Sequence, residues 1–175
     1  MFEIRIHSRG DQGGVTAARL LALAAIRDGK CAVACPFYGA ERRGAPVVSY
    51  VRIDDRPIRV YSQIRNPDLV LVLDPSVMEV VDVLQGMKTG GRVLLNAREP
   101  REMKGFPTHT VDLTGIALRE HLVVAGNPIL NTPVLGALAK MGIITMESAK
   151  MAIREMFSDE RNITAAETAY AELFA

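Results

Sequence analysis

Apolar and polar residues alternate over the first positions of the chain, with Phe2, Ile4 and Ile6 on one side, which predicts a β-strand. The segment Arg9-Gly10-Asp11-Gln12-Gly13-Gly14 then reads as a turn, and residues 15–27 as an Ala/Leu-rich helix. Ala18, Leu21, Ala22 and Ala25 share one face of that helix, and Leu20, Leu23 and Ala24 another. A helix apolar over most of its circumference is expected to be buried on two sides, by its own sheet and by a second layer.

The pattern continues with a short strand at residues 32–34 and an exposed loop over residues 36–46. The β-branched runs at 47–53 and 58–61, joined by Asp54-Asp55-Arg56-Pro57, predict an antiparallel hairpin. Leu69-Val70-Leu71-Val72-Leu73 has the continuous apolar character of a central parallel strand, and Asp74-Pro75-Ser76 behind it signals a helix start. Further strands are expected at 92–96 and 108–112, with helices over 115–121, 132–141 and 146–157. A last helix is expected to open on the capping box Thr164-Ala165-Ala166-Glu167. Strand–helix alternation of this kind predicts an α/β fold: a three-layer α/β/α sandwich with a mixed, mostly parallel, Rossmann-like sheet. With no internal repeat or low-complexity linker, residues 1–175 are expected to form one domain.

Composition narrows the function classes. At 175 residues and 49% hydrophobic the chain can bury one sizeable core. Its 21 Lys+Arg against 20 Asp+Glu give no global positive field to attract nucleic acid. The N-terminus lacks the basic-then-apolar order of a signal peptide, and the apolar run at 15–26 is interrupted by Thr16 and Arg19. A cytoplasmic protein without a membrane span is therefore expected. Cys31 and Cys35, four residues apart on a strand, would lie on one face about 13 Å apart, too far for a disulfide or a shared metal. His7, His109 and His121 show no ligand spacing, so no metal or iron–sulfur cluster is expected on this chain alone.

Three stretches carry candidate chemistry. The glycine-rich turn between the first strand and first helix resembles an anion cradle, yet Gly10, Gly13 and Gly14 do not fit the G-x-G-x-x-G spacing, and Asp11 would repel a pyrophosphate. Either it is a tight packing turn or it meets a ligand or a partner chain. The stretch from Pro36 to Pro46 carries Tyr38, Glu41, Arg42, Arg43 and Gly44 among glycines and prolines, a mixture suited to an interface as well as to a solvated loop. Asn131 and Thr132 precede Pro133, which fits a helix cap or a ligand-contacting helix start.

Gly10-Asp11-Gln12-Gly13 with Val15-Thr16-Ala17-Ala18, then residues 38–47, then Asn131-Thr132-Pro133-Val134-Leu135-Gly136-Ala137 resemble, in order and spacing, the gamma component of 2-oxoacid:ferredoxin oxidoreductases. The family's first loop commonly reads Gly-x-Gly-Gly-Gln-Gly, whereas Ser8 and Asp11 stand here at its first and third glycines. Arg42-Arg43-Gly44-Ala45-Pro46 resembles the pyruvate and branched-chain members more than the 2-oxoglutarate members. The resemblance implies a subunit inactive alone, with alpha, beta and delta subunits as partners and ferredoxin reached through the complex. It implies that other subunits hold thiamine diphosphate and the iron–sulfur clusters. Coenzyme A contacts or subunit contacts would fall to Gly10, Gln12, Gly13, Tyr38, Glu41, Arg42, Arg43, Gly44, Asn131 and Thr132, with no catalytic residue on this chain. A gamma subunit for 2-oxoisovalerate or 2-oxoglutarate, a stand-alone nucleotide-binding protein and a self-associating scaffold are the competing readings.

Overall fold

The structure, a computed structural model, describes residues 1–37, 44–103 and 105–174. Strand β1 (Phe2–Arg9) leads through the glycine-rich turn into helix α1 (Gly14–Arg27), followed by β2 (Cys31–Phe37), β3 (Pro46–Asp54), β4 (Leu69–Val72), β5 (Arg92–Asn96) and β6 (Thr108–Val111). These strands form one sheet in the order β2-β3-β1-β4-β5-β6. β1 pairs antiparallel with β3, Ile4 opposite Val51, and parallel with β4, Ile4 opposite Leu69; β4–β5 and β5–β6 are also parallel. The fold is therefore α/β with a mixed, mostly parallel sheet.

After β6 come α2 (Leu113–Arg119), a small hairpin of β7 (Val123–Val124) and β8 (Asn127–Pro128), and helices α3 (Pro133–Lys140), α4 (Met146–Met156) and α5 (Arg161–Glu172). All five α-helices join one apolar core against the sheet face that carries Ile4, Ile6, Val51, Leu69, Leu71 and Leu94. As its all-round apolar surface predicts, α1 is covered twice, by β2 and β3 on one side and by α4 on the other. Asp28, just past its end, accepts from the Thr145 N–H at 2.8 Å, the Thr145 hydroxyl at 2.6 Å and the Ser148 hydroxyl at 2.5 Å, so one carboxylate fastens α1 to the first turn of α4. Helices α3 and α5 meet at Gly136, where an added Cβ would stand 1.7 Å from the Ala166 carbonyl oxygen. Only glycine allows that backbone approach.

The opposite face carries Val70, Val72, Val93 and Leu95, and its cover contains no α-helix among the described residues. It is built from a 3₁₀ turn (Pro75–Glu79) and extended chain, with Val77 and Val83 packed inward. The Asp74-Pro75-Ser76 start signal is real, since Asp74 accepts from the Ser76 N–H at 2.9 Å, but the β-branched Val77, Val80 and Val81 that follow are poor helix formers and the turn stops. On this face β1 presents a charged row. Arg5 donates to the Val83 and Gln85 carbonyls at 2.9 and 2.7 Å and to His7 Nε2 at 3.1 Å. Arg52 on β3 pairs with Glu3 at 3.0 Å and donates to the Val60 and Ser62 carbonyls.

Three expectations are corrected. Residues 58–61 are no strand: they belong to a strap hung from Arg52, and β3 takes its antiparallel partners from β1 and β2 instead. β2 runs on through Pro36 to Phe37, which an edge strand tolerates because its outer N–H needs no partner. Thr164 lies inside α5 and not at its cap: the helix begins at Arg161, whose N–H donates to Asp159 at 3.0 Å, and the Thr164 hydroxyl turns back to the Glu160 carbonyl.

Gly136→Ala is expected to force α3 from α5 and destabilise the fold by about 1–3 kcal/mol, read as a lower urea midpoint at unchanged slope. Burial, and then the charge of Arg5, push the imidazole of His7 down from 6.5 to about 4. The unfolded chain protonates His7 below its ordinary pKa while the folded chain does not. Stability should therefore fall as pH drops from 6.5 toward 4, by on the order of 3 kcal/mol, and this contribution should level off below that window. Urea titrations across that range should show this slope in the native sequence and lose it in His7→Gln.

Candidate functional site

The carboxyl end of β1 gathers polar and glycine-rich residues of three distant segments because β1 lies at the middle of the sheet, between β3 and β4. The turn after β1 uses two left-handed residues, Asp11 at φ 71° and Gly13 at φ 83°. Aspartate is among the few non-glycine residues that adopt this conformation readily. Ser8 faces Gly14 so closely that an added Cβ there would lie 2.2 Å from the serine oxygen, so these two positions are matched to each other.

Gln12 stitches the turn together. Its carboxamide oxygen accepts from the Arg9 N–H at 2.8 Å, its Nε2 donates to Asp74 Oδ2 at 2.7 Å, and its backbone carbonyl accepts from the Leu130 N–H at 3.2 Å. Asp74 also accepts from the Ser76 hydroxyl at 2.6 Å. Burial alone would raise its carboxyl, but the hydrogen bonds from Ser76 and Gln12, with Arg9 nearby, outweigh it and hold the group below the ordinary carboxylate range. Arg9 reaches across to the Ser76 hydroxyl at 2.7 Å and the Gly44 carbonyl at 2.7 Å, and the Gly10 N–H donates to the Ala45 carbonyl at 3.0 Å.

Those bonds bring one end of the Glu-Arg-Arg-Gly segment, at Gly44 and Ala45, against the glycine turn. Tyr38, Glu41, Arg42 and Arg43 lie outside the described residues. Asn131 enters from the third segment: it is buried, its side chain packs about 3.1 Å from where a Cβ on Gly13 would stand, and its Oδ1 has no hydrogen-bond partner. Thr132 lies behind it, fully buried, with its hydroxyl given to Asn162 Oδ1 at 3.0 Å. It occupies the N-cap position of α3 without capping through its side chain, so its role is to fix the segment from the interior. Gly10, Gln12, Gly13, Gly44 and Asn131 are thus one constellation.

No side chain caps the N-terminus of α1, which opens on this constellation with its first N–H groups and the positive end of its dipole. An uncapped helix start on a glycine turn suits contact with an anionic group, while the free Oδ1 of buried Asn131, an acceptor, suits a donor beside it. In the sequence Arg9 carries no functional signal and Asp74 and Ser76 signal only a helix start; the second oxygen of that carboxylate reaches Gln12, a pairing across β1 and β4 that spacing along the chain does not reveal. A cleft of about 710 Å³ lies elsewhere, at the β6 edge, lined by Arg101, Phe106, His109 and Phe174 among others. Cys31 and Cys35 are both free thiols on β2. Among the described residues no group of three or more His, Cys, Asp and Glu side chains is placed to hold a metal.

Residues 3–172 match the family model described as pyruvate ferredoxin/flavodoxin oxidoreductase. The chain is 50% identical to the pyruvate/ketoisovalerate oxidoreductases common subunit gamma of Thermococcus kodakarensis, over 97% of this chain and 96% of that one. It is 48% identical to the pyruvate synthase subunit PorC of Methanocaldococcus jannaschii, over 99% and 97% of the two chains. Among solved structures, the pyruvate oxidoreductase subunit PORC of Thermotoga maritima superposes with a TM-score of 0.83 at 35% identity, covering 99% of this chain and 97% of that one.

Gln12→Ala should cost about 1–3 kcal/mol, since it strands the Arg9 N–H and one Asp74 oxygen in a partly buried turn. Asp11→Gly should be neutral or stabilising by up to about 1 kcal/mol, because it relieves a left-handed L-residue. Urea midpoints check both: lower for Gln12→Ala, unchanged or higher for Asp11→Gly.

Proposed function

Because this chain belongs to the pyruvate ferredoxin/flavodoxin oxidoreductase family, we propose that it serves as the gamma subunit of a multi-subunit oxidoreductase that converts pyruvate and coenzyme A to acetyl-CoA and passes electrons to ferredoxin. The observation that carries this reading is similarity to gamma and PorC subunits along nearly the whole length of both chains. Thiamine diphosphate, held by a partner subunit, supplies the electron sink for decarboxylation, and iron–sulfur clusters in other subunits carry the electrons away. Pyruvate is the first substrate assignment, on the Arg42-Arg43-Gly44-Ala45-Pro46 pattern; 2-oxoisovalerate is the second, since the relative from Thermococcus kodakarensis is named for both.

This chain's own part is to shape the approach of coenzyme A and to seat the partner subunits. The uncapped start of α1 offers its N–H groups to a phosphate, Asn131 stands beside Gly13 with an oxygen free to accept from a donor of the ligand, and the guanidiniums of Arg42 and Arg43 are chemically suited to phosphate oxygens as planar forks. Glu41 is suited by its charge to pair with an arginine, and Tyr38 by its ring to add contact area. Gly10, Gln12 and Gly44 hold the turn and residues 44–45 together through the Arg9 and Asp74 bonds. Thr132 supports Asn131 from below.

Anaerobic affinity purification of the tagged chain from its native cells tests the assignment. Larger subunits should come with it, together with thiamine diphosphate, iron and ferredoxin reduction that depends on pyruvate and coenzyme A. Recovery of the chain alone, or 2-oxoacid oxidation by the isolated chain, would overturn it. In the purified complex, Asn131→Asp should raise the KM for coenzyme A about tenfold or more while the KM for pyruvate stays within about twofold, since a carboxylate there repels phosphate. Equal changes in both constants would remove Asn131 from the coenzyme A site.

A further inference from the structure

The strap of residues 55–66 joins the end of β3 to the start of β4, so it lies at the end of the sheet opposite the glycine turn. Its inner side is fixed. Ile64 is buried, the Val60 and Ser62 carbonyls accept from Arg52, Arg52 is paired with Glu3, and the Asn66 carboxamide donates to the Gly86 carbonyl at 2.9 Å. Its outer side displays Tyr61, 67% exposed, beside Val60, 44% exposed. A chain held this firmly from within, with an aromatic ring turned out, has the composition of an interface centre and not of a solvated loop.

Charge identifies the kind of partner. Each acid flanking the strap is already paired: Glu3 with Arg52 and Lys88, Asp68 with Lys88, Asp54 with the N-terminal ammonium, and Asp55 with Lys30. Arg56, Arg59 and Arg65 are exposed and have no ion pair or side-chain hydrogen bond among the described residues. The unpaired charge of the strap itself therefore rests on three guanidiniums that flank Val60 and Tyr61 along the chain. Arginine forks pair with carboxylates, and an exposed tyrosine between them supplies the apolar centre that such a contact needs.

We propose that the strap is a docking surface for the carboxylate-rich face of another subunit of the oxidoreductase, with Tyr61 and Val60 at its centre and Arg56, Arg59 and Arg65 around them. The proposal rests on the subunit assignment above, and it adds a second contact at the far end of the sheet from the coenzyme A site. A single subunit could be gripped at both ends, or two subunits bridged.

The test uses the intact complex and three variants of this chain: Tyr61→Ser, the double charge reversal Arg59→Glu/Arg65→Glu, and the neutral Arg59→Gln/Arg65→Gln. Each is followed by native mass spectrometry and gel filtration across a salt series, with circular dichroism of the isolated chain as a check that it remains folded. The reversal should weaken retention of this chain in the complex by about a hundredfold or more, the neutral pair and Tyr61→Ser by about tenfold, and the native contact itself should weaken with rising salt. Folded variants that assemble like the native chain at every salt concentration would overturn the strap proposal and leave the subunit assignment standing. A native chain that joins no partner subunit would overturn both. Self-association of the native chain that disappears in the reversal would reassign the strap to a contact between copies of this chain and would also overturn the proposal.

Discussion

A row of polar side chains on the second face of β1 governs how this molecule is organised. Glu3, Arg5, His7 and Arg9 alternate with Ile4, Ile6 and Ser8, so the central strand offers apolar residues to the helices and charge to the other side. Buried guanidiniums and carboxylates are expensive unless paired and fully hydrogen-bonded. Here each one recruits a different piece of irregular chain: Glu3 engages Arg52 and Lys88, Arg5 takes the 83–85 carbonyls, and Arg9 takes Ser76 and Gly44. That requirement stands where a layer of helices would stand in a doubly wound fold. It explains why this face is covered by extended chain that follows the carbonyls the arginines need.

The same constraint links the two ends of the sheet. Arg9 and Gln12 fasten the glycine turn, the Gly44 end of the arginine segment and the β4 end into one unit, while Arg52 fastens the strap. Both ends are thereby tied to the sheet itself. Each is anchored through a strand residue, Arg9 or Arg52, and the glycine turn also through the loop bond from Gln12 to Asp74.

How much of this was legible in the sequence depends on the range of the interactions involved. The strand–turn–helix start, the central apolar strand at 69–72 and the twice-covered α1 follow from local periodicity, and the structure has them. The strap was read as a strand because Ile58, Val60 and Tyr61 have β-like composition, but its conformation is dictated by Arg52, which spacing along the chain cannot indicate. Pro36 was taken as a strand end because its tolerance depends on β2 lying at the sheet edge, a property of topology. At the candidate site the motifs Gly10-Asp11-Gln12-Gly13 and Asn131-Thr132 were visible as residues, yet their division of labour was not. Only packing separates Asn131, which faces the turn with a free oxygen, from Thr132, whose hydroxyl is committed to Asn162.

The bond between Asp28 and the start of α4 spans 117 residues, and the helices that cover the outer side of α1 all lie in the last third of the chain. During synthesis, then, a strongly apolar helix is made 117 residues before the segment that fastens its outer side. Nascent chains in that state are targets for chaperones and are prone to stick to one another. The order of elements that gives the finished subunit its twice-covered first helix also leaves that helix half bare while the intervening residues are made, and places commitment to the native state at the arrival of α4.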